Sequence, residues 1–155
     1  MSCVESIHVY ACKRFLNVSM HACNDAILGD TGRYPMSIFA SVRCVKYWLR
    51  VLNMSADRYI RLCYEMLVHY DALGYRNWVT ELRLNVFANG FGYVWEQQQV
   101  ANRELFISEY TQRLKDQHIQ NWHAKCLNTS KINYYVKFKQ TYEVEKYIKF
   151  IDTVK

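Results

Sequence analysis

The sequence predicts an all-α protein, a single compact bundle of about five to seven helices with short loops over residues 1–155, and three observations predict it. Glycine and proline are scarce, five and one, so a sandwich or barrel lacks the punctuation its frequent turns require. Apolar residues recur at three- and four-residue steps. Hydrophobic residues make up 51% of the chain, with thirteen Tyr and four Trp, enough to offset ordering entropy and bury a core.

Residues 6–18 place Ile7, Val9 or Tyr10, Ala11, Phe15 and Leu16 at helical spacing, and residues 22–31 form a short second helix. Two glycines and Pro35 then interrupt the chain, and Pro35 suits a first helical position because its missing N–H costs nothing there. From residue 36 to 54, Ile38, Val42, Val45, Leu49 and Leu52 form a buried side, with Arg43, Lys46 and Arg50 opposite. Ser55 is the expected N-cap of the next helix, with Asp57 in its first turn and Ile60, Cys63, Leu67, Tyr70 and Leu73 facing inward until Gly74. Asn77 caps a further helix through Val79, Leu82, Val86 and Phe87. After the break at Asn89–Gly90–Phe91–Gly92, Tyr93–Val94–Trp95–Glu96 resumes briefly. Asn102 with Glu104 starts a long helix whose Phe106, Tyr110, Leu114, His118, Trp122 and Cys126 make one stripe, and the remainder forms one or two more helices.

The net charge is +6, and its distribution is uneven. Residues 33–61 hold six bases, Arg33, Arg43, Lys46, Arg50, Arg58 and Arg61, against Asp57 alone, and residues 131–155 hold six against three acids. Two basic segments on a near-neutral body suit a polyanion, because lysine and arginine release counterions from phosphates; ordinary solubility charge is the other reading. The six cysteines are widely spread among apolar residues and read as reduced core thiols. No apolar run approaches the roughly 20 residues of a membrane span, and residues 1–5 carry no signal-peptide pattern. The expectation is an intracellular protein, nuclear or cytoplasmic, with no membrane role.

Catalytic and metal signatures are missing. His118 and Cys126 are eight residues apart on one helix, roughly 12 Å, too far to share one zinc ion. No Cys-x-x-Cys, His-Glu-x-x-His, adjacent Asp–Asp pair or phosphate loop occurs. Catalytic residues, metals, cofactors and a small-molecule substrate are therefore not expected. The sequence does interleave bases with aromatics in Tyr134–Tyr135–Val136–Lys137–Phe138–Lys139, followed by Tyr142, Lys146, Tyr147 and Lys149, and again in Lys46–Tyr47–Trp48–Leu49–Arg50. Rings that stack on unpaired bases beside lysines that track a backbone characterise single-strand binders. An amphipathic helix with aromatics inside and lysines in water has the same pattern.

Leu28–Gly29–Asp30–Thr31–Gly32–Arg33–Tyr34–Pro35, then Val45–Lys46–Tyr47–Trp48–Leu49, then Gly90–Phe91–Gly92–Tyr93–Val94–Trp95–Glu96 occur in that order. Gln120–Asn121–Trp122 and Tyr135–Val136–Lys137–Phe138–Lys139 follow. In these words the chain, from about His8 onward, resembles the segment that follows the polymerase domain in non-LTR (LINE-type) retrotransposon reverse transcriptases. The family usually has Gly-Glu-Leu-Gly-Arg-aromatic-Pro at the first word, so Asp30 and Thr31 depart from it. That family's endonuclease, paired polymerase aspartates and Cys/His knuckle have no counterpart in the chain. The resemblance implies a piece of a polymerase that grips template RNA or target DNA, a fragment or orphaned copy, with no catalytic residue to carry over.

The expected function is thus a non-catalytic nucleic-acid-binding accessory segment whose partners are RNA or DNA and the rest of a retroelement polymerase. Its contact set is Arg43, Lys46 and Arg50 from the first basic segment, and Lys131, Tyr135, Lys137, Lys139 and Lys146 from the second. The alternative is a helical protein-interaction or purely structural module. On the first reading, changing Lys46, Lys137 and Lys139 together to Glu weakens binding and leaves the domain folded.

Overall fold

In the computed structural model, residues 3–130 and 132–151 are described, and every regular element among them is a helix. They are α1 (Cys3–Phe15), α2 (Asn24–Thr31), α3 (Met36–Leu52), α4 (Tyr59–Ala72), α5 (Trp78–Ala88), α6 (Gly92–Gln97), α7 (Arg103–Asn128), α8 (Tyr135–Phe138) and α9 (Lys146–Ile151). The all-α class holds; the helix count among the described residues exceeds seven because α6, α8 and α9 are pieces of six, four and six residues. The chain forms two compact units, one of residues 38–114 and one of residues 1–37 with 115–155.

In the unit of residues 38–114, α3 buries Val45, Trp48, Leu49 and Val51 against Val79, Leu82 and Val86 of α5 and Phe106 and Tyr110 of α7. Trp48 is fully enclosed, stacked on Trp95 at 5.4 Å, and its Nε1–H donates to the Tyr64 hydroxyl at 2.9 Å. Tyr64 in turn donates to Gln98 Oε1 at 2.6 Å. A buried indole or phenol must keep such a partner, so this chain of hydrogen bonds sets which side of α4 faces inward. The expected inward face of Ile60, Cys63, Tyr70 and Leu73 is corrected by it: those four are exposed, and Tyr64 is the residue that α4 buries.

Ser55 does not cap α4, which starts four residues later behind Arg58. Residues 53–58 turn instead, closed by Met54 N to Val51 O and Arg58 N to Ser55 O, both at 3.1 Å, while Arg61 reaches back to the Leu52 carbonyl. Asn77 caps α5 as expected, its side chain accepting from Val79 N at 2.8 Å while Thr80 accepts from Asn77 N. Asn102 likewise accepts from Leu105 N at the head of α7.

In the unit of residues 1–37 and 115–155, the later half of α7 supplies Trp122 and Cys126 to a core with Val9, Leu28, Ile132 and Tyr142. The α7 stripe is therefore buried at both ends, Phe106 and Tyr110 in one core and Trp122 and Cys126 in the other. α1 buries Val9, Cys12 and Lys13, whose Nζ donates to Met20 O at 2.8 Å, and with that side inward the expected Ile7 and Phe15 are exposed. Trp122 Nε1 donates to Asp25 O at 2.8 Å, Tyr135 donates to Asp30 and Tyr142 to Arg33 O, so α2 and its exit are held by three rings. Gly29 permits this approach: a Cβ there would lie 2.7 Å from the Trp122 ring. Gly32, at φ 58°, ends α2 in the left-handed region with Arg33 N bonded to Leu28 O. The cysteines are free; Cys12 and Cys126 are buried, whereas Cys3 and Cys63, expected in the core with the others, are exposed, which corrects that reading for these two.

His118 is half-buried, 3.1 Å from the Tyr142 hydroxyl, and because Tyr142 gives its proton to Arg33 O, His118 Nε2–H is the donor. Burial lowers the His118 pKa, with Lys125 adding in the same direction against opposing Asp25 and Glu5. The folded state therefore favours neutral imidazole, and this stability is present above the unfolded pKa of about 6.5 and lost as pH falls. Tm should decline from about pH 7 towards pH 5, less steeply in His118→Gln; equal slopes would remove His118 as the cause. Gly29→Ala should cost about 1–3 kcal/mol in denaturant unfolding, because the Trp122 ring must move. Unchanged stability would contradict that packing.

Candidate nucleic-acid interface

The anticipated contact residues divide by what their side chains already hold. Lys139 is 4% exposed, and its ammonium donates to Glu143 O and to the Glu145 carboxylate, which it holds below the usual carboxylate range. It has no reach to a phosphate, and its place in the contact set is corrected: an ion pair closing the turn before α9 has drawn it inward. Tyr135 is half-buried between Trp122 and α2, its hydroxyl held by Asp30 at 2.5 Å, so its ring is engaged in packing. Burial, with the Asp30 carboxylate adding, pushes the Tyr135 pKa far up and keeps the phenol protonated. Lys131 lies outside the described residues.

Lys137 and Lys146 are exposed, and Lys137 stands over the Tyr134 ring at 4.7 Å. Beside them Phe138 is 88% exposed and Tyr134 is open as well, so in this segment the outward rings are the neighbours of the one anticipated.

Arg43, Lys46 and Arg50 follow one another by three and four residues along α3, share its outer face, and are all exposed. Among the described residues no carboxylate pairs with any of them, whereas Glu65, Asp71 and Glu81 pair with Arg61, Arg83 and Arg76. Arg50 lines a pocket of about 630 Å³ with Arg58, Arg103, Tyr47, Asn53 and Ser55, whose wall includes no acidic residue. Arg103 is fixed there by donating to the Lys46 carbonyl at 2.9 Å. The pocket opens at the start of α4, where the positive end of the helix adds to the cations. Arg43 and Lys46 do not line it and extend the positive face along α3.

The sequence reading missed Arg103, which belongs to a stretch of near-neutral charge and reaches α3 through a contact 57 residues away. Arg58 had been counted as charge and assigned no role; its signal was its place beside Ser55 in a turn that the expected cap concealed.

Next to this pocket runs an apolar groove of about 470 Å³ between α3, α4 and the head of α5, lined by Tyr47, Tyr59, Ile60, Cys63, Leu67 and Trp78 among others. The outward Ile60 and Cys63 of α4 form part of its wall.

Among the described residues, no group of three or more His, Cys, Asp or Glu side chains comes together to hold a metal ion, and no helix is long and apolar enough to cross a membrane. His123 packs on Trp122 at 4.8 Å and Cys126 is buried with its pKa pushed up to about 11, both in packing roles. Comparison with protein-family models, curated proteins and solved structures finds no match to the chain.

Lys139→Ala should lower stability by about 2 kcal/mol, since Glu145 and the Glu143 carbonyl lose their donor, while Lys137→Ala should be nearly neutral. Paired urea melts test this; equal effects would put Lys139 in solvent.

Proposed function

We propose that the outer face of α3, with the adjoining turn and the head of α7, binds the phosphate backbone of single-stranded RNA or DNA. The observation that carries this reading is the convergence of Arg50, Arg58 and Arg103 on one pocket with no acid in its wall and Tyr47 beside it. Arginine guanidinium groups bind phosphate in a bidentate manner, and an adjacent ring serves base stacking. The resemblance to the post-polymerase segment of non-LTR reverse transcriptases supports the same reading. In it the chain is a non-catalytic accessory segment that grips template RNA or target DNA beside the polymerase, in the reducing environment of nucleus or cytoplasm. Lys137 and Lys146 provide a secondary, weaker contact set.

A protein-interaction module is the second reading, and the exposed apolar groove favours it, because such grooves on soluble chains commonly seat a partner. The two readings separate on salt and charge. Fluorescence anisotropy with a labelled single-stranded RNA should give log K falling against log salt with a slope of about −2, from three neutralised phosphates at about −0.7 each. Arg50→Glu with Arg58→Glu should weaken binding about tenfold or more at low salt with Tm unchanged. Binding that ignores both salt and charge reversal, or no binding at low salt, would leave the protein-interaction reading.

A further inference from the structure

The apolar groove and the arginine pocket share two wall residues, Tyr47 and Ile60. One wall of the pair is cationic and the other, apart from tyrosine hydroxyls, offers only rings, aliphatic groups and a thiol. Tyr59 stands 85% exposed at the edge of the groove, while the opposite side is set firmly. There Tyr47 and Trp78 meet edge to face at 5.9 Å and 68°, and Trp78 Nε1 lies 3.2 Å from Cys44 Sγ. A volume of about 470 Å³ falls within the roughly 300–1,000 Å³ of small-molecule sites.

Resting on the phosphate-binding reading above, we infer that the groove is a nucleobase pocket: one unpaired base seats among Tyr47, Tyr59 and Trp78 while its own phosphate lies against Arg50, Arg58 and Arg103. The charge next door argues for this occupant. A purely apolar partner would place its flank against three arginines in a wall without an acid, whereas a nucleotide carries a flat aromatic face and an anion within one residue of each other. Base stacking on aromatic side chains is tolerant of sequence because every base has a π-face. The pocket therefore selects single strands over duplex, in which the faces of the bases are already stacked, and discriminates little among bases.

Anisotropy on the intact chain tests this with three probes: a labelled oligothymidylate, an abasic deoxyribose-phosphate strand of the same length, and a duplex of that length. The oligothymidylate should bind about tenfold or more tightly than the abasic strand. Tyr59→Ala, at a position too exposed to matter for folding, should bring the oligothymidylate down to the abasic level and leave abasic binding and its salt slope unchanged, and Tyr59→Phe should restore it. Equal affinity for base-bearing and abasic strands, with the salt slope intact, overturns the base pocket and spares the phosphate face. Tighter binding of duplex also overturns it. Failure of all three probes to bind at low salt overturns the phosphate-binding reading and this inference with it.

Discussion

Burying a tryptophan or tyrosine removes an N–H or O–H from water, and the need to give that donor a partner organises this protein. Trp48 donates to Tyr64 and Tyr64 to Gln98; Trp122, Tyr135 and Tyr142 donate to α2 and the residues that leave it. An unsatisfied indole or phenol in an apolar interior costs more than its ring gains from a small improvement in packing, so each bond fixes a rotamer and with it the phase of a helix. In residues 1–37 and 115–155 these donors lie 97 to 109 residues from their acceptors, and that unit closes only when Trp122, Tyr135 and Tyr142 meet residues 25–33.

The function proposed for residues 38–114 follows from the same bonds. Because Tyr64 turns one side of α4 towards Trp48, Ile60 and Cys63 are carried outward and line the groove beside Tyr47. Because α4 starts only at Tyr59, residues 53–58 form a turn that presents Arg58 near Arg50. Arg61, Arg76 and Arg83 of this unit are held by Glu65, Glu81 and Asp71, whereas no carboxylate among the described residues pairs with Arg43, Lys46 or Arg50, the cations on which the proposed binding rests.

What depends on neighbours in the chain was legible in the sequence. The Asn77 and Asn102 caps needed only residues two to three positions on, and the α7 stripe needed only the helical period. What depends on distant partners was not. The phase of α4 rests on Tyr64, Trp48 and Gln98 together, Arg103 on the carbonyl of Lys46, and the burial of Lys139 on a turn that brings Glu145 back to it. The words that carry the family resemblance behave in the same way. Gly29, Trp122 and Tyr135 meet in one core, and Trp48 and Trp95 stack in the other, so most of the words mark packing positions, and among them Lys46 and Tyr47 belong to the proposed α3 face and Lys137 to the proposed secondary contact set.

Arginine Nε–Hε resonances report each guanidinium separately, and a single-stranded oligonucleotide titrated into the labelled chain would show which of them meets phosphate. Early, saturating shifts at Arg50, Arg58 and Arg103, with Arg76 and Arg83 unmoved beside their carboxylates, are the predicted result. Shifts spread evenly over all the arginines, or absent from those three, would contradict a built phosphate site and leave only diffuse charge.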